Sequence, residues 1–149
     1  SVRAADRAYA EEALHRVIAC AQAGAQATGA TLEYETKKGY DAINPNRPLA
    51  DAFGRHLEEL GWPLDVPPEK PKMGSTDMGD VSHALPAIHP YVAIGRDIPG
   101  HTVEFREAAL TPKGFEAMLT AAKAMALTAL DVLTNPGFLE QVRADFRGN

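Results

Sequence analysis

The sequence has little cysteine, no excess of basic charge and no long apolar run, and each shortage removes a class of function. Its single cysteine, Cys20, excludes an intrachain disulfide and a cysteine-based zinc cluster, whose ligands come in pairs at short spacing. A reducing compartment fits such cysteine usage. Fifteen Lys and Arg against twenty Asp and Glu give a net charge of −5, and the basic residues form no block or stripe. Nucleic-acid binding by phosphate neutralisation is therefore not expected. No run approaches the roughly 20 apolar residues that span a bilayer, and the N-terminus lacks the basic and apolar regions of a secretion signal. No membrane partner is expected, and the expected location is cytoplasmic. GxSxG elbow, phosphate loop and GxGxxG fingerprint are also missing, so local motifs do not support a stand-alone hydrolase.

What remains is an ordinary globular composition, 149 residues with 45% hydrophobic and 23% charged, enough for one modest core. Ala10, Leu14, Val17, Ile18, Ala21 and Ala25 recur at three- and four-residue steps and predict an amphipathic helix over Asp6 to Thr28, stopped by Gly29. Thr31 to Thr36 alternates apolar and polar, the pattern of a half-buried strand. Residues 1–43 thus read as strand, helix, strand. The turn cluster Asn44-Pro45-Asn46-Arg47-Pro48 marks a boundary, after which Leu49, Phe53, Leu57 and Leu60 predict a helix. Prolines 63, 67, 68 and 71 predict a surface connector. Met73 to Ile88 reads as a polar loop, and Tyr91-Val92-Ala93-Ile94 as a short buried strand. Thr111-Pro112 opens a helix with an apolar stripe from Phe115 to Leu133, in which Met118 and Met125 read as core. Asn135-Pro136 opens a last helix with Phe138, Leu139, Val142 and Phe146 facing inward.

The densest polar cluster is Gly74-Ser75-Thr76-Asp77-Met78-Gly79-Asp80-Val81-Ser82-His83, followed by Pro86-Ala87-Ile88-His89-Pro90. Small residues let backbone N–H groups approach an anion, and the carboxylates and imidazoles can bind metal or move protons. The same residues are common turn and cap formers. His101, after Pro99-Gly100 and before the alternating Thr102-Val103-Glu104-Phe105, reads as a loop histidine held at a strand edge, a placement that suits metal ligation. His83 and His89 lie six apart with a proline between them, so they form no helical zinc pair. His15 and His56 fall inside helices and read as ordinary positions. Cys20, in an alanine-rich helix, reads as a small packed hydrophobe.

Taken together, the run from Gly74 to His83, the run from Pro86 to Gly95, and His101 with Phe105 and Ala108 to Leu110 resemble the C-terminal part of zinc amidohydrolases of the aminoacylase and carboxypeptidase type. The likeness is to the p-aminobenzoyl-glutamate hydrolase and dipeptidase branch. It implies an α/β fold: residues 1–43 would close a small α+β lid, or dimerisation, domain, and residues 44–149 would be the C-terminal part of a catalytic α/β domain. His101 would match the family's C-terminal metal-ligand histidine. Gly74, Ser75, Thr76, Asp77 and Gly79, with His89, would lie on the substrate side.

The cofactor implied is zinc in a two-metal centre, the substrate a small amide or dipeptide, and the oligomer a homodimer formed through the lid. The family's His-x-Asp ligand pair and its acidic pair containing the general base have no counterpart here. No catalytic residue is therefore assigned, and the isolated chain is expected to be an inactive portion of such an enzyme. Two alternatives stay open: a non-catalytic interaction or dimerisation module derived from the family, and a small self-sufficient metal site built from Asp77, His83, His89 and His101.

Overall fold

The structure is a computed structural model that describes residues 1–4, 6–65 and 74–148. Among these residues the regular structure consists of six helices: α1 (Arg7–Thr28), α2 (Arg47–Glu59), α3 (Met78–Ala84), α4 (Val103–Ala109), α5 (Pro112–Thr134) and α6 (Pro136–Gly148). Most of the connector expected around Pro67, Pro68 and Pro71 lies outside the described residues.

The expected α/β fold is corrected to an all-α one, since no strand is present among the described residues. A strand exists only by pairing with a neighbour. Thr31 to Thr36 and Tyr91 to Ile94 make no backbone–backbone hydrogen bond among the described residues, so their alternation has nothing to pair with. Thr102 to Phe105 also leaves the strand register, because Thr102 caps α4: its hydroxyl accepts the Phe105 N–H at 3.2 Å.

Local chemistry explains where the helices begin. Asp6 accepts the Tyr9 N–H at 2.8 Å, Thr111 accepts the Gly114 N–H at 3.1 Å, and Asn135 accepts the Phe138 N–H at 3.1 Å. Each such cap satisfies an otherwise orphaned donor and contributes about 1 kcal/mol. Gly29 ends α1 at φ 69°, a left-handed turn that glycine adopts without steric cost.

Helices α2, α4, α5 and α6 pack together, whereas α1 and α3 lie against no other helix closely. The centre is formed by Phe53 and Leu57 of α2 against Ala124 of α5, with Trp62, Ile88 and Val92 around them. Small residues on α5 permit the close approach. A Cβ on Gly114 would lie 2.5 Å from the Ala108 carbonyl oxygen, so glycine allows the end of α4 to abut α5. His56 fastens α2 to the far end of α5: its ring nitrogens lie 3.0 Å from Glu59 and 2.8 Å from Asp131, and Arg55 reaches Asp131 at 3.2 Å.

Other expectations also change. Cys20 is exposed, because α1 has no buried residue and no helix beside it to pack against. Met118 and Met125 are more than half exposed, since the buried face of α5 is its small-residue face of Gly114, Ala117, Ala124 and Thr128. Helix α5 also reaches the length and mean hydropathy of a membrane-crossing helix, although no comparable uninterrupted apolar run exists in the sequence.

Asn46 joins the most distant parts of the chain and is 2% exposed. Its backbone N–H donates to the Ala87 carbonyl at 2.9 Å, and its side-chain oxygen caps α2 by accepting the Leu49 N–H at 3.3 Å. Its amide nitrogen donates to the Val142 carbonyl at 2.9 Å and to the Asp145 carboxylate at 3.0 Å on α6. Asn46→Ala should lower unfolding free energy by about 1–3 kcal/mol, through the lost cap and the stranded buried acceptor. Urea denaturation followed by circular dichroism reads this; a change below about 0.3 kcal/mol, far under the usual value of a cap, would refute Asn46 as the junction.

Candidate functional site

The polar run from Gly74 to His83 is not one continuous loop, because Met78 to Ala84 forms α3. The signal for it was present: Met78, Val81 and Leu85 recur at helical spacing, and all three line a groove shared with Leu49 and Phe53 of α2 and Met125 of α5.

The second half of the run holds the preceding segment in place. Asp80 accepts the Asp41 N–H at 2.8 Å, His83 Nε2 donates to the Ala42 carbonyl at 2.9 Å, and Ser82 accepts the Asn44 N–H at 2.9 Å. Fully buried Ser82 also donates to the Gly79 carbonyl at 2.7 Å. Gly79 permits the close approach of segment 41–44, since a Cβ there would fall 1.8 Å from the Asp41 carbonyl oxygen. The segment 41–44 is tied at its other side to α1, where Arg7 bonds Asp41. That bond, followed by the one to Glu11, raises the Arg7 pKa above its ordinary value. Gly79 thus has a demonstrable structural role next to the substrate-side role expected from the sequence.

The first half remains open to solvent. Gly74, Ser75 and Asp77 are exposed, and a Cβ on Gly74 would meet nothing within 4 Å. Thr76 is the meeting point. Its hydroxyl accepts the Met78 N–H at 3.3 Å and lies 3.4 Å from both the Asp77 carboxylate and His89 Nδ1. The His89 ring stacks on Tyr91, with centroids 5.3 Å apart. Thr76, Asp77 and His89 therefore gather into one exposed polar group that can exchange hydrogen bonds with a small ligand.

His101 is exposed and stands immediately before α4, with φ 63°. The left-handed region is unusual for a residue with a Cβ, and histidine is among the side chains that enter it more often. Thr102 fixes the bend by donating to the Pro99 carbonyl at 2.9 Å while capping α4. The His101 imidazole makes no hydrogen bond to the described residues, so its ring nitrogens suit an external ligand. Among the described residues no three His, Cys, Asp or Glu side chains gather to hold a metal. The self-sufficient site of Asp77, His83, His89 and His101 is therefore not formed, and His83 is committed to the Ala42 carbonyl.

No protein-family model matches the chain. Individual relatives do. Over 132 residues, covering 86% of the chain, it is 40% identical to the Xaa-Arg dipeptidase of Mus musculus and 39% identical to that of Homo sapiens. The chain is similar to dipeptidases. A match of that extent along 149 residues has no room to leave out Gly74 to His101, so it includes the region of the candidate site. The chain spans about 30% of the length of these relatives.

Two substitutions separate structural from open glycines. Gly79→Ala should release residues 41–44, seen as faster amide hydrogen exchange there, whereas Gly74→Ala should leave exchange unchanged; equal exchange in both would remove the assigned role of Gly79. At the strained position, His101→Gly should raise stability by up to about 1 kcal/mol, because glycine enters the left-handed region freely. A thermal melt showing destabilisation would mean that the His101 side chain, and not its backbone, dominates the loop.

Proposed function

We propose that this chain is the part of a zinc-dependent dipeptidase-type amidohydrolase that supplies one metal ligand and the substrate-side loop. The observation that carries the reading is the similarity to Xaa-Arg dipeptidases across Gly74 to His101, the segment in which a strained histidine without a hydrogen-bond partner among the described residues and an open polar loop occur. The donor chemistry fits the metal, since a neutral imidazole with accessible nitrogens is a standard zinc ligand.

His101 would hold zinc together with ligands contributed by further polypeptide, including the general base. When bound, zinc supplies a water acidified toward neutrality and polarises the scissile carbonyl. The chain's own residues bind and orient the substrate. Backbone N–H groups near Gly74 and Ser75 are open to a substrate carboxylate, and Thr76 and His89 offer hydrogen bonds to the amide. Asp77 holds the Thr76 hydroxyl at the mouth of the loop. A dipeptide of the Xaa-Arg kind is the first substrate to test, with N-acyl amino acids and p-aminobenzoyl-glutamate next. Residues 1–43 would serve as the end of a lid through which two copies associate.

A second reading, a non-catalytic interaction module, is favoured by the absence of a metal-binding cluster among the described residues. The two readings separate when the chain is produced alone and together with the portion of the Mus musculus relative that it does not match. Stoichiometric zinc and Xaa-Arg hydrolysis in the combination only, both lost in His101→Ala, are expected. Zinc retained by His101→Ala would refute the ligand assignment, and absence of zinc and hydrolysis from the combination would favour the module.

A further inference from the structure

Helix α5 divides into three sectors. Gly114, Ala117, Ala124 and Thr128 are buried against α2 and α4. The charged residues Lys113, Glu116, Lys123 and Asp131 fall together on a second sector by the 100° helical step. The third sector carries Phe115, Met118, Leu119, Met125, Leu130 and Leu133, all apolar and all about half exposed or more, with Leu133 at 82%. A surface helix ordinarily turns one apolar stripe inward and its charges to water. Here Glu116 and Lys123 already supply a water-facing sector, so the third sector is an additional apolar face with no cover among the described residues. Two grooves run along its border with the buried sector, one toward Val81 and Leu85 near Met125 and one toward Val92 and Phe105 near Met118.

The amount of exposed surface indicates what kind of cover is needed. The chain presents 11265 Å², whereas a compact monomer of its 16.0 kDa would present about 7400 Å². The excess, roughly 3900 Å², is far above the approximately 800 Å² per partner of a standard protein interface. Part of it belongs to α1, which has no buried residue, and the α5 sector adds six large apolar side chains that are about half exposed or more. The dipeptidases it resembles are also more than three times as long as the matched segment.

We propose that the third sector of α5 is an interior face, covered by polypeptide corresponding to the part of those dipeptidases that the chain does not match. The six side chains of that sector are distinct from Thr76, Asp77, His89 and His101, so substitutions can separate docking from the candidate site. The inference shares with the proposed function only the presence of further polypeptide, and assembly can be read without metal or activity.

The test mixes the purified chain with the unmatched portion of the Mus musculus relative, produced as a separate polypeptide, and reads mass by light scattering. A one-to-one complex is expected, weakened at least tenfold by Leu119→Glu with Leu130→Glu and unchanged by Val17→Glu on α1 or by His101→Ala. Circular dichroism checks that the exposed substitutions keep the helices folded. Three results would overturn the proposal: no complex; a complex indifferent to the double substitution; or, without the probe, occupation of the same stripe by a second copy or by phosphatidylcholine–phosphatidylglycerol vesicles. Loss of zinc in His101→Ala with the complex intact would separate a failure of this inference from a failure of the functional reading.

Discussion

The bonds of Asn46 constrain the molecule more than any other polar interaction. A buried asparagine amide needs its donors and acceptor satisfied, and Asn46 finds partners at three separate places: the first turn of α2, the Ala87 backbone after α3, and Val142 with Asp145 on α6. Misplacing any of the three strands a polar group in the interior, at a cost comparable to a sizeable share of a small domain's net stability. The apolar contacts alone would not set this register. Phe53, Leu57 and Ala124 give α2 and α5 an attraction without direction, whereas Asn46 fixes where α2 begins, and Asp145 reinforces the choice by accepting the Arg47 N–H at 3.1 Å.

From that junction the candidate site follows by short steps. Asn44 lies two residues before Asn46 and bonds Ser82, so fixing α2 also fixes α3 through segment 41–44. Locating α3 sets the position of Thr76, whose hydroxyl receives the Met78 N–H at its start. Ala87, held by Asn46, is two residues from His89, which faces Thr76. The open polar group is therefore placed by contacts on both sides of α3, not by its own weak internal bonds. His101 is placed independently, by the Thr102 cap and the packing of α4 on α5 through Gly114. Local conformational strain at His101 persists because the cap and that close contact over-determine the loop.

Much of this architecture was legible in the sequence, and particular residues show where legibility ended. Asp6 with Gly29, and Thr111 with Pro112, carry local chemistry that acts within a few residues, so α1 and α5 appear close to where the pattern places them. The helix after Asn46 and the one after Asn135 follow for the same reason. Strands are different, since their existence depends on a partner that may be distant, and the alternation at Thr31 and Tyr91 finds none among the described residues. In α3 the helical spacing of Met78, Val81 and Leu85 competes with Gly79, Asp80 and Ser82, which read as loop formers, yet each of these three makes a specific contact to residues 41–44 that sequence spacing cannot reveal. Gly74, Thr76, His89 and His101 stand out as residues of a dense polar cluster and a loop histidine, their roles follow only from resemblance, and only geometry distinguishes open Gly74 from constrained Gly79.

The apolar pattern of α5 illustrates a further physical limit. Its stripe predicts core because Phe115, Met118, Leu119 and Leu130 are apolar at helical spacing, but spacing specifies a face without specifying what covers it. The covered face is the adjacent one, made of glycine, alanine and threonine, because small residues let α2 and α4 approach closely. Close backbone approach and large side-chain burial compete for the same helix. The chain satisfies the first internally and leaves the second exposed. Among the described residues its interior is correspondingly small: the largest fully buried side chain is that of Ser82, and the buried apolar residues are mostly alanines. With so little large-residue burial, the caps and the Asn46 junction carry an unusual share of the organisation. Burial of Leu119, Leu130 and Leu133 against further polypeptide would supply the missing apolar contribution, roughly 1.5–3 kcal/mol for each fully covered side chain.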